Sequence, residues 1–348
     1  MKKLLSNRNL RSQILTYGFV IAAFVVLQLV AAGGGMSSSL KGMLVPICAY
    51  VVMAISLNLT VGVLGELSLG HAGFMSVGAF MGVTAAISLQ NAVPAPGLRL
   101  LIALLVGAVF AAVIGFLVGI PVLRLKGDYL AIVTLAFGEI IKSIFNNHYL
   151  GLDANGFHVS LLQDRTNLAQ GGRLILGGPM GISGIQKIST FLAGVILILV
   201  CLFVIFNYVN SRTGRAVMAL RDNRIAAESI GISATRHKMT AFVLSAAMAG
   251  AAGALFALNY STVVANKFDF NTSILVLVFV VLGGLGNMFG SILAATALTI
   301  LPEVLREFQD YRMLIYAVVL ILVMLGTNNA KLKSLFEKLR PRRREEQS

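Results

Sequence analysis

Long apolar runs, separated by shorter polar stretches, occupy most of the chain. Such runs approach the roughly 20 residues that a helix needs to cross a hydrocarbon core of about 30 Å. They predict membrane-spanning helices over residues 14–32, 41–60, 66–88, 99–122, 128–148, 188–209 and 239–260. Two further apolar runs follow, over 272–301 and 312–326. The pattern therefore predicts an all-α integral membrane protein.

A glycine cluster interrupts the apolar run over 272–301. The cluster reads GGLGN over 283–287, and glycine permits sharp turns because it adopts positive φ and carries no Cβ. We predict a break there, flanked by either two short crossings or a re-entrant pair of half-helices. The total is then about ten helical passes. Unpaired backbone at such a break is tolerated only inside protein or beside a wet cavity, so the break is a candidate part of a transport path.

Polar and basic stretches predict the orientation of the chain. Residues 149–187 are rich in Gly, Asn, Asp and Gln and are predicted to form an extramembrane loop on the outer, periplasmic side. Residues 210–238 are rich in Arg, and the ends 1–13 and 327–348 are also basic. Basic loops stay in the cytoplasm. We therefore predict a polytopic membrane domain over 14–326, with both termini in the cytoplasm.

Composition argues for a membrane environment and against several other classes of protein. Hydrophobic residues make up 57% of the chain and charged residues 12%, which soluble domains do not show. The basic residues behind the net charge of +14 lie between the apolar runs, where they orient the chain in a membrane, and no nucleic-acid partner is predicted. The basic run of the tail is predicted to lie near anionic membrane lipid. The cysteines and histidines have no metal-ligand spacing, and no metal site is predicted. No phosphate-binding G-x-x-x-x-G-K-[ST] motif occurs.

The basic segment 210–238 is patterned as two short helices. Asp222 is a candidate N-cap for the second helix, and Gly231 is a candidate for the left-handed residue that ends it. Ile225, Ala226 and Ile230 would then form a small apolar face between charged neighbours, suited to a groove on another protein. The alternative is an ordinary basic loop that only fixes topology.

Three ionisable residues lie within or beside the predicted spans. A charged group at the membrane centre costs at least about 2.5 kcal/mol, so Glu66, His71 and Glu139 are candidates for a transport path. Each has a structural alternative. Glu66 can be exposed at the cytoplasmic end of its span, His71 can be a neutral imidazole bonded to a helix carbonyl, and Glu139 can pair with Lys142 three residues on. Small residues crowd the same span as His71, which allows close helix approach.

Five ordered blocks of sequence carry a resemblance to a known family. They are LNLTVGVLGELSLGHAGF from Leu57, RLKGDYLAIVTLAFGEI from Arg124, GGPMGISGI from Gly177, TGRAVMALRDNRIAAESIGI from Thr213 and VLGGLGNMFGSILAA from Val281. Together they resemble the M-type permease subunit of branched-chain amino-acid (leucine/isoleucine/valine) importers of the ATP-binding-cassette class. The resemblance covers about residues 40–326.

The resemblance implies that 14–326 is a ten-helix permease domain in the bacterial cytoplasmic (inner) membrane. Such a permease moves branched-chain or related small amino acids inward by alternating access. Its implied partners are a second homologous permease subunit, two ABC ATPase subunits and a periplasmic or surface substrate-binding protein. ATP and Mg would bind to the ATPase subunits and no cofactor to this chain, which is not expected to be an enzyme. We assign ATPase coupling to Arg215, Arg221, Asp222, Ala226, Ala227, Glu228 and Gly231. We assign binding-protein docking to Gly178, Pro179, Met180 and Gly181. The translocation path is assigned to Glu66, Ser68, Gly70, His71, Gly73, Phe74, Glu139, Gly283, Gly284, Gly286 and Asn287.

One departure from the family and three competing functions stay open. The insertion over 151–176 either enlarges the contact with the binding protein or is neutral. An ion-driven secondary transporter would also use broken helices and a buried Glu139. An ABC permease for urea or short amides has the same architecture. An intramembrane enzyme would need Glu66, His71 and Glu139 to converge on one polar pocket.

Overall fold

The computed structural model describes residues 8–33, 38–125, 127–153, 156–160, 173–305, 317–318 and 321. The α-helices are α1 (Arg8–Ala32), α2 (Ser38–Asn58), α3 (His71–Ser88), α4 (Pro96–Val122), α5 (Asp128–Asn147), α6 (Phe191–Asn210), α7 (Arg212–Asp222), α8 (Arg224–Ser229), α9 (Ala234–Ala257), α10 (Phe270–Gly283) and α11 (Met288–Val304). The strands are β1 (Tyr149–Asp153), β2 (Gly156–Ser160), β3 (Arg173–Gly177), β4 (Ile182–Ser183) and β5 (Thr262–Val263). A π-helical turn (Leu59–Leu64) continues α2, and 3-10 turns occupy Gly178–Met180 and Ala265–Lys267.

The chain divides into two compact units, Met1–Thr296 and Ala297–Ser348. The second unit contains, within the described residues, the apolar C-terminal half of α11. The predicted span over 312–326 and the basic tail over 327–348 lie almost wholly outside the described residues. All contacts reported below belong to the first unit.

Seven helical stretches of the described chain are long and apolar enough to cross a membrane. They are Gln13–Ala31, Ser39–Leu64, His71–Ser88, Pro96–Val122, Phe191–Asn210, Ala234–Ala257 and Ala265–Gly283. A shorter apolar helix covers Met288–Val304. Helix α5, which was predicted as a crossing, is not among the seven and carries Glu139 and Lys142 in its second half. The prediction of a mostly helical integral membrane protein is confirmed.

Helices α1 and α6 run in opposite directions. The ring of Tyr17 lies 5.7 Å from that of Phe206, and the ring of Phe24 lies 5.3 Å from that of Phe191. Because Phe191 begins α6 and Phe206 lies near its end, the start of α1 lies at the end of the molecule where α6 leads into the basic segment. We call this end the basic end.

Helix α5 runs away from the basic end. Asp128, its first residue, lines a crevice with Arg221 and Lys238 of the basic segment. Near the other end of α5, Asn146 donates a hydrogen bond from Nδ2 to Asn266 Oδ1 at 2.9 Å. At 1.5 Å per residue, the 20 residues of α5 span about 30 Å. The helix therefore traverses the same distance as the more apolar helices.

The core lies where α3, α4 and α9 approach closely. A Cβ added to Gly78 of α3 would lie 1.9 Å from the carbonyl oxygen of Gly250 in α9. A Cβ added to Gly250 would lie 2.3 Å from the Cβ of Ala111 in α4. Small residues allow the helix backbones to meet in the absence of bulky side chains. The prediction that the small residues of this span permit close helix approach is confirmed.

A small sheet replaces part of the loop predicted over 149–187. Its strand order is β2-β1-β3-β4-β5, and β5, from the connection between α9 and α10, pairs with β4 through Val263 opposite Ile182. The sequence pattern predicts only an extramembrane loop here and not its strands, because the apolar residues of each strand alternate over only a few positions, which a search for long runs passes over. The described part of the 151–176 insertion belongs to this sheet, and the end of the molecule that carries it is the sheet end.

Candidate functional site

Helix α8 begins at a different capping residue from the one predicted. Asn223 is the N-cap, because its Oδ1 accepts a hydrogen bond from the Ala226 backbone N at 3.0 Å. Asp222 is instead the last residue of α7, and its carboxylate pairs with the neighbouring Arg221 at 2.9 Å. Gly231 has a φ of 87°, so the prediction that it takes the left-handed conformation after the helix is confirmed.

Two exposed isoleucines lie on α8 and directly after its last residue. Ile225 is 82% exposed and Ile230 is 75% exposed. Ala227 faces the other way and is buried with Leu220 of α7 and Ala234 of α9. The three residues predicted for the apolar face, Ile225, Ala226 and Ile230, are all exposed, and Ala227 anchors the helix to α7 and α9. Large apolar side chains exposed among charged groups are typical of a surface that binds another protein.

Arg221 connects α7 to the π-helical turn that follows α2. Its Nη1 donates a hydrogen bond to the carbonyl oxygen of Gly62 at 2.9 Å. Its side chain also covers Gly65, where an added Cβ would lie 2.5 Å from Arg221 Cγ. Gly65 has a φ of 80° and ends the turn. The end of α2 is therefore in direct contact with the basic segment.

Glu66 lies in a partly buried ion pair. Its carboxylate pairs with Lys238 Nζ, and the side chains are 13% and 8% exposed, respectively. Residues 65–70 are not helical, so the predicted start of a span at residue 66 was wrong. The pair lines an open crevice of about 460 Å³ together with Asp128 and Arg221. Glu66 is thus neither a free charge in a span nor a solvent-exposed residue at its end.

His71 belongs to a buried polar chain that links α2, α3 and α9. Its Nε2 lies 2.8 Å from Ser56 Oγ. Ser245 donates to the Ser56 carbonyl oxygen at 2.6 Å, and Thr60 donates to Ser245 Oγ at 2.8 Å. The side chain of Ser68 is also fully buried. The partner of His71 is therefore a hydroxyl group rather than the predicted carbonyl.

The glycines beside His71 serve close packing against α5. A Cβ added to Gly70 would lie 1.9 Å from the Thr134 carbonyl oxygen. A Cβ added to Gly73 would lie 3.0 Å from Gly138 Cα. Phe74 is 3% exposed. These candidate path residues are enclosed by the chain's own helices in this conformation.

Glu139 pairs with Lys142, as predicted. The Glu139 side chain is 42% exposed and that of Lys142 is 22% exposed. Glu139 also borders a narrow crevice between α3, α5 and α10, which Gly73 and Ser273 line as well. The charge of Glu139 is therefore balanced within its own helix.

The chain turns sharply over 284–287, between α10 and α11, and we call this turn the 284–287 break. Gly284 and Gly286 have φ values of 92° and 80°. Asn58, near the end of α2, accepts a hydrogen bond on Oδ1 from Gly286 N at 2.7 Å and donates from Nδ2 to Ser291 Oγ at 2.8 Å. Leu285 is 59% exposed. Sequence reasoning missed Asn58, although a fully buried amide within an apolar run requires hydrogen-bond partners.

The residues proposed for docking form a short turn at the sheet end. Gly178 and Gly181 have φ values of 54° and 68°. A Cβ added to Gly181 would lie 2.0 Å from the carbonyl oxygen of Val263 in β5. Pro179 is exposed and Met180 is 77% exposed. Two glycines thus fix the turn against the sheet, and two side chains project from it.

Several of the predicted site residues do not converge. Arg215 donates from Nη1 to the Asn210 carbonyl oxygen at 2.9 Å, at the end of α6. Glu66, His71 and Glu139 each contact a different partner, so the described contacts do not form the single polar pocket that an intramembrane enzyme would need. Among the described residues, no group of three or more His, Cys, Asp or Glu could hold a metal ion.

Comparison with known proteins gives a family match and several relatives. The model of the family described as "Branched-chain amino acid transport system / permease component" matches residues 39–324. The high-affinity branched-chain amino acid transport system permease protein LivM of Salmonella typhimurium is 38% identical over 286 residues, covering 79% of this chain and 66% of the relative. LivM of Escherichia coli gives the same values. The corresponding permease protein LivH of Escherichia coli is 26% identical, covering 79% of this chain and 88% of the relative.

The matched region spans slightly less than two thirds of the length of the LivM relatives, at 66%. No solved structure matches the chain significantly.

Proposed function

Because the chain belongs to the family of branched-chain amino acid transport permease components, we propose that it is a membrane permease subunit of an ATP-driven importer for branched-chain or related small amino acids. The family match over 39–324 and the seven apolar helices support this function. The chain would carry no catalytic site. Two ABC ATPase subunits would bind ATP and Mg and drive the movement of substrate.

The observation that carries the proposal is the exposed apolar face of α8. Ile225 and Ile230 are 82% and 75% exposed on a segment rich in arginine, which the positive-inside rule places in the cytoplasm. An ATPase subunit that covers both side chains would remove them from water. Ala227, buried against α7 and α9, would then connect the docked ATPase to the membrane helices.

Ten crossings are the topology that best fits the directions of the helices. With the basic end in the cytoplasm, α1 leads outward, and α6 returns beside it. Helix α5 leads outward although it is less apolar than its neighbours, because its ends lie at the basic end and the sheet end. The helices α10 and α11 would supply two more crossings, and the last is the one that the apolar sequence over 312–326 predicts. This arrangement retains 14–326 as the permease domain, with 149–187 outside and 210–238 and 327–348 inside.

Substrate would pass between this chain and a second, homologous permease subunit. The 284–287 break is the part of the proposed path that is already exposed, through Leu285 and Gly286. Ser68, His71 and Phe74 are buried, so they would reach the path only when helices move during alternating access. A substrate-binding protein would dock at the sheet end, on Pro179 and Met180.

Reciprocal co-purification tests this assignment. Replacement of both isoleucines, Ile225→Ser with Ile230→Ser, should abolish recovery of the ATPase subunits after mild detergent extraction, because it removes the apolar face without disturbing a buried contact. The matched control is Met180→Ser, an equally exposed side chain at the sheet end. The control should keep the ATPase subunits and weaken binding of the substrate-binding protein. Unchanged ATPase recovery with the double variant would contradict the proposal.

An ion-driven secondary transporter is the competing function, since the broken helix pair over 270–304 is also typical of that class. The two functions differ in their energy source. The purified chain, reconstituted alone with an ion gradient and no ATP, should not accumulate radiolabelled leucine if it is an ABC permease subunit. Competition of leucine uptake by urea or short amides in the full complex tests the alternative substrates.

A further inference from the structure

Gly62 lies between the basic segment and the 284–287 break, in contact with both. A Cβ added to Gly62 would lie 2.0 Å from Asn58 Oδ1 and 2.2 Å from the backbone N of Gly286. On its other side, the Gly62 carbonyl oxygen accepts the hydrogen bond from Arg221. We call these four residues, Asn58, Gly62, Arg221 and Gly286, the Gly62 junction. No Cβ fits between Gly62 and Gly286, so the two backbones pack directly against each other.

The arginine contact arises from the way the π-helical turn ends. The last carbonyl groups of a helix have no intrahelical donor and need another partner. The turn ends at Leu64, and Arg221 supplies such a donor to Gly62 at 2.9 Å. The same guanidinium is held by Asp222 through Nε and Nη2. The position of Gly62 therefore depends on the end of α7, which is the helix that carries α8.

Asn58 forms the second half of the junction. It is fully buried, and both polar atoms of its amide are used, one by Gly286 N and one by Ser291 Oγ. Its contacts thus include both the 284–287 break and the first turn of α11. A buried amide with both functions satisfied has little freedom to rotate, because each lost bond would leave an unpaired polar group. Asn58 therefore fixes the break to the end of α2.

We propose that the Gly62 junction transmits movement of α7 to the 284–287 break, with Arg221 and Asn58 as the positioning residues. The inference rests on the proposed function, in which α7 and α8 receive the movement of the ATPase subunits. A shift of α7 displaces Arg221 and, with it, the carbonyl of Gly62. Because Gly62 and Gly286 are in backbone contact, the displacement changes the turn that borders the path. Neither residue contacts the substrate in this scheme.

Another contact at the basic end does not connect the basic segment to the 284–287 break. The Glu66–Lys238 ion pair joins the 65–70 loop to α9, but neither residue contacts the break in the described structure. Loss of this pair would loosen the loop, whereas loss of the Arg221 contact would separate α7 from the break. The inference therefore applies to Arg221 and Asn58 and not to every charged residue of the crevice.

The test uses the complete complex of both permeases, the ATPase subunits and the binding protein in proteoliposomes. Arg221→Gln should leave subunit assembly and ATP hydrolysis near wild type and lower leucine transported per ATP by about ten-fold. Arg221→Lys, which keeps one donor, should restore part of this ratio. Ser291→Ala, which removes one of the two Asn58 bonds, should lower the ratio by about two-fold to five-fold. The control is Arg236→Gln, an exposed arginine in the first turn of α9, which should keep the wild-type ratio.

The outcomes separate the inference from the proposed function. A wild-type complex without ATP-dependent uptake would contradict the proposed function itself. A wild-type complex with such uptake, combined with unchanged ratios in both Arg221→Gln and Ser291→Ala, would overturn only the role of the Gly62 junction. If Arg221→Gln does not assemble, the ratio measured in Ser291→Ala decides the question, because that variant removes a single hydroxyl from a described hydrogen bond.

Discussion

Two segments that contain glycine, 68–74 and 283–287, differ in the backbone conformation of Gly70 and Gly286 and in the space around them. In the first, Gly70 is buried and its Cα faces the Thr134 carbonyl so closely that no Cβ fits. In the second, Gly286 has a positive φ of 80°, and a Cβ added to it would lie 3.6 Å from the Gly62 carbonyl oxygen, an ordinary contact distance. The first segment uses glycine to bring helices together, and the second uses it to turn the chain. The comparison shows that glycine content alone does not identify a path through a membrane protein.

The largest effect is expected in the first segment. Gly70→Val places a branched side chain against the Thr134 carbonyl oxygen, 1.9 Å from the position of its Cβ, and should cost about 4 kcal/mol or more. Little folded protein should be recovered by size-exclusion chromatography. The control, Gly18→Val in α1, meets no atom within 4 Å and should give a normal yield. Normal recovery of folded Gly70→Val would contradict the claim that glycine is needed at position 70 for close helix packing.

A smaller effect is expected at the break. Gly286→Ala forces a Cβ onto a backbone with a φ of 80°, at a cost of about 1–2 kcal/mol. The variant should fold, with a modest fall in melting temperature, and its ATP-driven leucine uptake should decrease because the turn changes shape. Gly97→Ala, in open space in the first turn of α4, should change neither quantity. Wild-type uptake by Gly286→Ala would show that transport does not depend on this turn.

The smallest effect is expected at Glu139, which borders the first segment. Its pair with Lys142 is partly exposed, so Glu139→Gln should change stability by less than about 1 kcal/mol. ATP-driven uptake by the full complex should be unchanged, and Lys142→Gln should behave in the same way. Loss of uptake in Glu139→Gln alone would favour the ion-driven alternative, in which a carboxylate binds the driving ion.

Local pattern predicted the features that depend on neighbouring residues. The apolar runs predicted the helices, and Gly231 predicted the end of α8. The prediction of the N-cap failed by one position because Asp222 and Asn223 are both good capping residues, and α7 continues through Asp222 before the backbone becomes extended at Asn223. A local sequence pattern cannot choose between two neighbouring residues that are both good N-caps.

Contacts between distant parts of the chain were the features that the sequence did not reveal. Lys238 lies 172 residues from Glu66, and Asn58 lies 228 residues from Gly286. Nothing in the residues near either position specifies its partner. The sheet was missed for a related reason, since β5 lies in a different connection from β1 to β4, and its two residues give no strand signal alone.

Helix α10 begins shortly after β5 and ends at the 284–287 break. Its 14 residues therefore place the sheet end and the break about 21 Å apart. Strand pairing joins the Met180 turn to β5 through Ile182 and Val263. Arg221 and Gly62 join the basic segment to the break. Under the proposed function, docking of the substrate-binding protein outside and ATP hydrolysis inside would act on opposite ends of α10. One short helix would then respond to both events.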